Sequence, residues 1–302
     1  MRICVFGAGA LGSALGGMLA GEHEVTLIGR KTHVSAIMRS GLRLTGKVNL
    51  TSHPKAYASI GRLSPPDVLI ITTKAYDTAG AIDACRGWTT ADTKVLTLQN
   101  GIGNLEMLRG WKGSRAFGGT TSMGTALVSP GVIRVAGLGM AVIGSDLDEE
   151  GAQTIASAFS SCGIPVRLEQ ELDREIWEKL IVSSCINPIT AVLRITNGKL
   201  LESAAISRLL EGVVEECVDV ARAHDVRLQK CSLMSRIRAV AEDTAVNRSS
   251  MLQDIERGRR TEIAQINGMV CKLGSAKGIP TPLNKALAAM VGALEAAPPE
   301  KG

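Results

Sequence analysis

A short apolar strand that runs straight into a glycine-rich turn opens this chain. Residues 2–6 predict the strand, and the turn has the spacing Gly-x-Gly-x-x-Gly at Gly7, Gly9 and Gly12. In such a turn the first glycine allows a tight bend, the second lets a pyrophosphate approach, and the third lets a helix pack on the strand. A helix predicted at Ser13–Ala20 would direct its first N–H groups at the phosphates. The predicted phosphate-binding residues are therefore Gly7, Ala8, Gly9, Ala10, Leu11 and Gly12.

A second predicted strand, Glu24–Ile28, favours dinucleotide binding over a plain glycine-rich turn and indicates which dinucleotide is bound. Enzymes that use NAD usually carry an acidic residue about 20 positions after the loop, for the ribose 2′-hydroxyl. Here the strand is followed by Gly29, Arg30 and Lys31. Two adjacent cations suit a 2′-phosphate, although many such pairs are only solvated turns. We therefore expect NADP(H), with Arg30 at the 2′-phosphate.

Composition narrows the class of protein. The 302 residues, 45% of them hydrophobic, are enough for two domains. The net charge of +5 is mild and only 3% of residues are aromatic, so we expect no nucleic-acid partner. No stretch of 18 uninterrupted apolar residues occurs, and the chain opens on a strand, so we expect no membrane span and no targeting peptide.

Cysteine and histidine usage points to a cytoplasmic protein without a metal. The seven cysteines form no Cys-x-x-Cys pair and mostly lie among apolar residues, which is typical of reduced core thiols. The four histidines are scattered, and their spacing gives no support to a metal site.

The first half of the chain alternates strands and helices, which predicts an α/β fold with a Rossmann-type parallel sheet and helices on both faces. Leu42–Leu44 and Val48–Leu50 predict an inserted hairpin. The predicted strands are Arg2–Phe6, Glu24–Ile28, Val68–Thr72, Lys94–Leu98, Val132–Val135 and Met140–Ile143. The predicted helices are Ser13–Ala20, Val34–Ser40, Thr78–Cys85, Asn104–Arg109 and Glu149–Ser161.

Beyond about Asp173 only helical periodicity remains, for example in an apolar face that runs from Ile206 to Ala221. We therefore predict an NADP(H)-binding Rossmann domain at residues 1–168 and an all-helical C-terminal domain, which holds substrate and catalytic residues, at 169–302. The sequence leaves open whether the helical domain buries a homodimer surface or faces solvent. Ala296–Gly302 is expected to be a frayed tail.

Polar residues follow two of the predicted strands, where ligands bind in open α/β sheets. Lys74 follows the strand at 68–72, and Asn100 follows the strand at 94–98. Each alone is more often solvated surface or a turn. Together with the glycine loop they are predicted cofactor or substrate contacts.

A polar stripe marks the helix that begins near Arg174. Lys179, Ser183 and Asn187 are spaced four residues apart and so share one face. Pro188 removes a backbone hydrogen bond and should bend or end the helix just beyond Asn187. A solvated stripe is the alternative, but this helix opens the second domain, where we expect it to line the interdomain cleft.

A second polar set lies between Ser250 and Glu262. Ser250 with Gln253 fits a helix cap, and a capped helix start can also hold a carboxylate. Ser250 and Glu262 are 12 residues apart, about 18 Å along a continuous helix. Both can reach one small substrate only if the helix breaks, and Gly258 is the expected break.

With these residues the chain resembles the ketopantoate reductases (2-dehydropantoate 2-reductases) over nearly its full length. The resemblance implies NADPH-dependent reduction of 2-dehydropantoate to (R)-pantoate, on the route to pantothenate and coenzyme A. The Ser-Ser-Met-Leu-Gln-Asp and Asn-Pro-x-Thr-Ala runs are far more specific than the glycine loop. The matching segments are residues 7–12, 73–75, 99–103, 119–121, 177–180, 186–191, 197–198, 249–254 and 261–263.

The resemblance also implies roles for single residues. Lys179 would be the general acid and Glu262 its partner at the substrate hydroxyl. A cation beside the carbonyl oxygen would stabilise the negative charge that hydride transfer creates there and would supply the proton. The cofactor–substrate junction would include Lys74 and Asn100, and the substrate would be held by Asn100, Lys179, Ser183, Asn187, Asn197 and Ser250.

One departure bears on the substrate. Ser183 stands where the family usually has asparagine, and the shorter serine leaves open a different 2-oxo acid or an opine-like substrate. A non-catalytic NADP(H)-binding redox sensor is the alternative from another class. It would not need the acid–carboxylate pair of Lys179 and Glu262.

Overall fold

An eight-stranded, largely parallel sheet forms the centre of the first of two units in the computed structural model, which describes residues 1–296. This unit comprises residues 1–99 and 103–172. Every neighbouring pair of strands in this sheet is parallel except one, which joins Ala116–Thr121 to Ala141–Gly144. Across the sheet the strands are β12 (Val166–Leu168), β11 (Ala141–Gly144), β8 (Ala116–Thr121), β7 (Lys94–Thr97), β6 (Val68–Ile71), β1 (Arg2–Phe6), β2 (Glu24–Ile28) and β5 (Lys55–Tyr57).

Five helices accompany this sheet along the chain. The strongest local signal belongs to the fifth, because Asp148 accepts a hydrogen bond from the Gly151 N–H at 2.8 Å and two glutamates follow in the first turn. Its predicted bounds are confirmed. The helices are α1 (Ala10–Leu19), α2 (Lys31–Ser40), α3 (Thr78–Arg86), α4 (Asn104–Lys112) and α5 (Glu149–Ser161).

A second, four-stranded sheet contains the predicted hairpin. Its order is β4 (Leu50–Ser52), β3 (Leu42–Gly46), β10 (Val132–Gly137) and β9 (Gly124–Ser129). A hairpin is confirmed by the antiparallel pairing of β3 with β4, but its second strand lies at Leu50–Ser52, two residues later than predicted. Placing the 132–135 strand in the main parallel sheet was wrong, since β10 pairs with β3 and β9. The reason is visible in its burial, because buried and more exposed residues alternate along it, as expected for a strand covered on one face.

Sequence patterns missed strands β5, β8, β9 and β12. Strand β8 contains the adjacent glycines Gly118 and Gly119, and its sequence did not indicate a strand because glycine normally destabilises one. Here a β-carbon at Gly119 would lie 2.3 Å from the Val142 carbonyl oxygen, so the neighbouring strand can approach only a glycine. Tertiary packing, rather than strand propensity, selects these residues.

The second unit comprises residues 100–102 and the chain from Asp173 onward. The main division between the units therefore falls after Leu172. The domain boundary near Leu168 stays a prediction. The apolar face predicted between Ile206 and Ala221 is confirmed, with Leu210, Val213 and Val214 among the buried residues of that helix. The helices are α6 (Leu172–Leu193), α7 (Ala204–Ala223), α8 (Lys230–Asp243), α9 (Ser250–Glu256), α10 (Asn267–Ala276) and α11 (Pro282–Ala296). Apart from Ala296, the predicted frayed tail lies outside the described residues.

Of the two outcomes predicted at Pro188, an end of the helix just beyond Asn187 is wrong, because α6 continues to Leu193; a bend there stays a prediction. A proline leaves the carbonyl four residues earlier without its helical donor. That carbonyl belongs to Ser184, and the fully buried Asn267 donates to it from Nδ2 at 3.0 Å. A side chain 83 residues away along the chain therefore replaces the missing N–H.

Among the helices within residues 1–296, α6 alone is long and apolar enough to cross a membrane by length and composition. Of its apolar window, 61% is buried inside the structure, as in a core helix. The expectation of core thiols is met by Cys4, Cys85, Cys185 and Cys217, which are buried, whereas Cys231 is exposed.

Candidate active site

The glycine loop joins β1 to α1 with geometry that only glycine permits. Gly7 has φ +111°, and a β-carbon there would lie 2.5 Å from the Thr73 backbone nitrogen. A β-carbon at Gly12 would lie 2.4 Å from the Gly7 carbonyl oxygen, whereas one at Gly9 would meet Gly7 O at 3.8 Å as its nearest neighbour within residues 1–296. The helix starts at Ala10, three residues earlier than predicted, with Gly9 as its N-cap. The exposed backbone at Gly9 thus precedes the open N–H groups of a helix, which is an arrangement suited to a pyrophosphate.

Two cations stand at the start of α2. Arg30 is its N-cap and Lys31 its first residue, and both are exposed. Positive charge at a helix N-terminus opposes the helix dipole, and the first turn has no acidic residue to offset it. Within the described chain, the Arg30 side chain makes no ion pair or hydrogen bond. An anion at this position would be stabilised by both the side chains and the dipole.

Lys74 follows β6 and precedes a 3-10 turn at Ala75–Asp77. The backbone around it is held by Gln99, whose Nε2 donates to the Thr73 carbonyl oxygen at 2.9 Å and to the Lys74 carbonyl oxygen at 3.4 Å. Thr72 Oγ1 donates to the Gly7 carbonyl oxygen at 3.0 Å and so joins this segment to the glycine loop. No role was predicted for Thr72, although a polar residue directly after the buried strand β6 was an available signal.

In the second unit, Lys179, Ser183 and Asn187 lie on one continuous helix, α6. All three are partly exposed, while the residues between them are mostly buried, so they share the face that the helix core leaves uncovered. Partial burial lowers the pKa of Lys179 to about 8. Arg236 lowers this pKa further, and the negative charges of Glu262 and Glu175 raise it. A lysine with such a pKa can both hold and release a proton near neutral pH.

Glu262 is buried, and hydrogen bonds fix both its side chain and the residue before it. Asn100 Nδ2 donates to Glu262 Oε2 at 3.2 Å. Gly101, at φ +89°, allows this approach, because a β-carbon there would lie 2.5 Å from the Gln265 carbonyl oxygen. On the other side, Thr261 donates to Glu295 Oε1 from its backbone N–H, at 2.7 Å, and from its hydroxyl. Sequence patterns contained no signal for Glu295.

The predicted helix cap at Ser250 was wrong by one residue. Ser249 is the N-cap of α9, and its Oγ accepts from the Leu252 N–H at 3.1 Å. Thr190 Oγ1 on α6 donates to the same oxygen at 2.7 Å, which selects Ser249 over its neighbour. Ser250 is therefore left exposed as the first residue of the helix.

The predicted helix break at Gly258 is confirmed. Helix α9 ends at Glu256, and Gly258 has φ +59°. Gly258 N–H donates to Ile255 O at 3.0 Å and Arg259 N–H to Asp254 O at 2.8 Å, which is the Schellman pattern of a glycine-terminated helix. The chain can therefore change direction between Ser250 and Glu262.

Asn197 opens a 3-10 turn and is buried. Its Nδ2 donates to Thr244 Oγ1 at 2.8 Å, and its backbone N–H donates to Asn247 O at 3.0 Å. Within residues 1–296, its Oδ1 has no hydrogen-bond partner, so it keeps an acceptor for a donor such as a hydroxyl. The same part of the chain holds no group of three His, Cys, Asp or Glu residues placed to bind a metal ion.

Two family models match the chain in succession. Residues 3–147 match the model described as ketopantoate reductase PanE/ApbA, and residues 171–295 match the model of its C-terminal part. Among curated proteins, the 2-dehydropantoate 2-reductase of Pyrococcus horikoshii is 38% identical over 298 residues, which is 98% of each chain. The enzyme of the same name from Bacillus subtilis is 30% identical and covers 92% of each chain.

Solved structures agree with this likeness. A PanE/ApbA family ketopantoate reductase from Ralstonia eutropha has a TM-score of 0.91 and 33% identity, over 98% of this chain and 99% of that one. A D-mandelate dehydrogenase, solved as a ternary complex with NADH and anilino(oxo)acetate, has a TM-score of 0.94 and 26% identity over the same shares. With both halves matched by its models and relatives of at least 30% identity along the full length, the chain belongs to the ketopantoate reductase PanE/ApbA family.

Proposed function

We propose that this protein catalyses the NADPH-dependent reduction of 2-dehydropantoate to (R)-pantoate. The observation that carries the proposal is the pair formed by Lys179 and Glu262 in a chain of this family. Glu262 is buried, is held by Asn100 at 3.2 Å, and acts electrostatically on Lys179. A non-catalytic redox sensor has no use for a charged pair of this kind.

The cofactor is assigned to the domain predicted at residues 1–168. The open backbone at Gly9 and the uncapped start of α1 fit a pyrophosphate, and the cations at the start of α2 fit a 2′-phosphate. Lys74 and Asn100 are proposed at the junction of cofactor and substrate. When bound, NADPH supplies a hydride to the carbonyl carbon of the substrate.

The chemistry is assigned to residues 169–302. As the carbonyl carbon gains the hydride, its oxygen becomes an alkoxide, and the Lys179 ammonium stabilises that charge and gives up its proton to form the hydroxyl. Glu262 keeps Lys179 charged before transfer and accepts a hydrogen bond from the new hydroxyl. Ser183, Asn187, Asn197 and Ser250 are proposed to hold the rest of the substrate.

A second candidate is the reduction of another 2-oxo acid. Two observations favour it: Ser183 is shorter than the asparagine usual in the family, and the D-mandelate dehydrogenase relative has a TM-score of 0.94. Both candidate reactions use Lys179 as the general acid and NADPH as the cofactor. They differ only in the group that the substrate carries beside its 2-oxo acid. A cytoplasmic location stays a prediction.

One assay separates these functions. Oxidation of NADPH, followed by absorbance, is measured over a panel that contains 2-dehydropantoate, smaller and branched 2-oxo acids and aryl 2-oxo acids. The highest kcat/KM on 2-dehydropantoate is the expected result. A higher kcat/KM on another 2-oxo acid would support the second candidate function. No turnover of any compound in the panel would support the non-catalytic redox sensor.

A further inference from the structure

An arginine from α8 lies against two glutamates of α6 that precede Lys179, one by four residues and the other by one. Arg236 Nη2 donates to Glu175 Oε1 at 2.9 Å, and its Nη1 donates to Glu178 Oε2. The Glu175 side chain is only 9% exposed, so this carboxylate has little water around it. A buried carboxylate requires a partner of opposite charge, and Arg236 supplies one.

Glu175 also faces Lys179. The two residues are four apart on the same helix, a spacing at which side chains are neighbours. Three charged groups therefore act on the Lys179 ammonium: Glu175 from its own helix, Arg236 from α8, and Glu262 from the segment that follows α9. Two are negative and one is positive.

We propose that the Glu175–Arg236 ion pair is a positioning device for the proton donor: Arg236 draws the Glu175 carboxylate into its own hydrogen bonds, so that Lys179 keeps Glu262 as its main partner and can release its proton at neutral pH. The inference rests on the proposed function, in which Lys179 is that donor. Neither Glu175 nor Arg236 touches the reacting atoms.

Opposing charges make this a matter of balance. An ammonium between two unshielded carboxylates would hold its proton too strongly, and one with no carboxylate would lose it on burial. A general acid is most effective when its pKa lies near the working pH. Burial and Arg236 lower the pKa of Lys179, the two carboxylates raise it, and the outcome is about 8.

The test compares Glu175→Gln with Arg236→Gln. The pKa of Lys179 is measured by 13C NMR of protein labelled at the lysine ε-carbon, without substrate or cofactor, and the signal is assigned by its loss in Lys179→Ala. Removing Glu175 is expected to lower this pKa, and removing Arg236 is expected to raise it, each by at least about half a pH unit. The high-pH limb of kcat/KM should move with it.

Two controls separate charge from structure. Glu178→Gln removes the other carboxylate that Arg236 contacts but is not among the charges that act on Lys179, so the pKa should stay in place. Arg236→Lys keeps the positive charge, so it should keep the Lys179 pKa and the pH profile of kcat/KM near those of the unchanged protein. This variant provides the comparison if Arg236→Gln folds poorly. If the ion pair had a purely structural role, Glu175→Gln and Arg236→Gln would shift the pKa of Lys179 in the same direction.

The outcomes distinguish this inference from the function on which it rests. Shifts of the Lys179 pKa in the same direction, or no shift in either glutamine variant, overturn the ion pair as a positioning device. Opposite shifts by NMR, with an unmoved kcat/KM profile, support the ion pair and instead contradict Lys179 as the proton donor.

Discussion

The two units of this protein build their functional residues in different ways. In the first, the candidate cofactor residues belong to three short segments, which follow β1, β2 and β6, and the backbone at Gly7 and Gly12 leaves no room for a side chain. In the second, the Lys179 environment is assembled from α6, α8, the residues after α9 and the 100–102 loop. A phosphate loop built from the backbone of one segment can be predicted from residue spacing, whereas an environment built from the side chains of four segments cannot.

The largest expected effect tests the second unit. Lys179→Ala should lower turnover by roughly 10²- to 10⁴-fold, because the alkoxide loses both its counter-charge and its proton donor. NADPH affinity, measured by fluorescence titration, should stay near that of the unchanged protein. Lys199→Ala, which removes an exposed lysine paired with Glu202, is the control and should have little effect. Near-normal turnover in Lys179→Ala would make the polar face of α6 a solvated stripe, and Lys74 would become the candidate donor.

The next effect tests the first unit. Arg30→Ala should raise the KM for NADPH by about 10- to 150-fold, since a hydrogen bond to a charged group contributes about 1.5–3 kcal/mol. The KM for NADH should hardly change. Arg39→Ala removes an exposed cation from the other end of α2 and controls for net charge. Equal losses for the two cofactors would show that Arg30 does not bind a 2′-phosphate.

Glu262→Gln should have a smaller effect on turnover than Lys179→Ala, about tenfold, because the amide keeps a hydrogen bond but loses the charge. Since Glu262 raises the pKa of Lys179, the high-pH limb of kcat/KM should move to lower pH. Glu256→Gln, a change at a carboxylate paired with Arg248, serves as the matched control. A limb that stays in place would break the electrostatic link between Glu262 and Lys179.

The smallest effect concerns stability around the cofactor segments. His33 is buried, its Nδ1 accepts from the Gly131 N–H at 3.0 Å, and its Nε2 bonds with Ser13 Oγ at 2.9 Å, directly after the glycine loop. Burial lowers the pKa of His33, so the unfolded chain binds this proton more readily than the folded one. The contribution of His33 to the free energy of unfolding should be complete above about pH 6.5 and should fall as the pH drops below that value.

Urea unfolding between pH 5 and 8 measures this dependence. The difference between the unchanged protein and His33→Gln isolates one histidine, because all other titrating groups are shared by both. The stability difference should shrink below about pH 6.5. A difference that is constant with pH would mean that the folded protein protonates His33 as easily as the unfolded chain does.

Much of the fold and part of the site followed from local sequence. The bounds of β1, β2 and α5 were predicted correctly, and so was the helix break at Gly258. These features depend on residues within a few positions of one another, through burial periodicity, a capping side chain or a glycine with positive φ. Because those interactions are local, the sequence by itself determined them.

Tertiary structure decided the rest. Pro188 does not end α6 because Asn267 satisfies the Ser184 carbonyl, and Ser249 rather than Ser250 caps α9 because Thr190 bonds to it. The neighbours of Lys179 and Glu262 come from helices and loops far apart in the chain; Asn100 and Glu262 are 162 residues apart. No local pattern encodes such pairs, since packing chooses which side chains meet, and burial then sets how strongly their charges act.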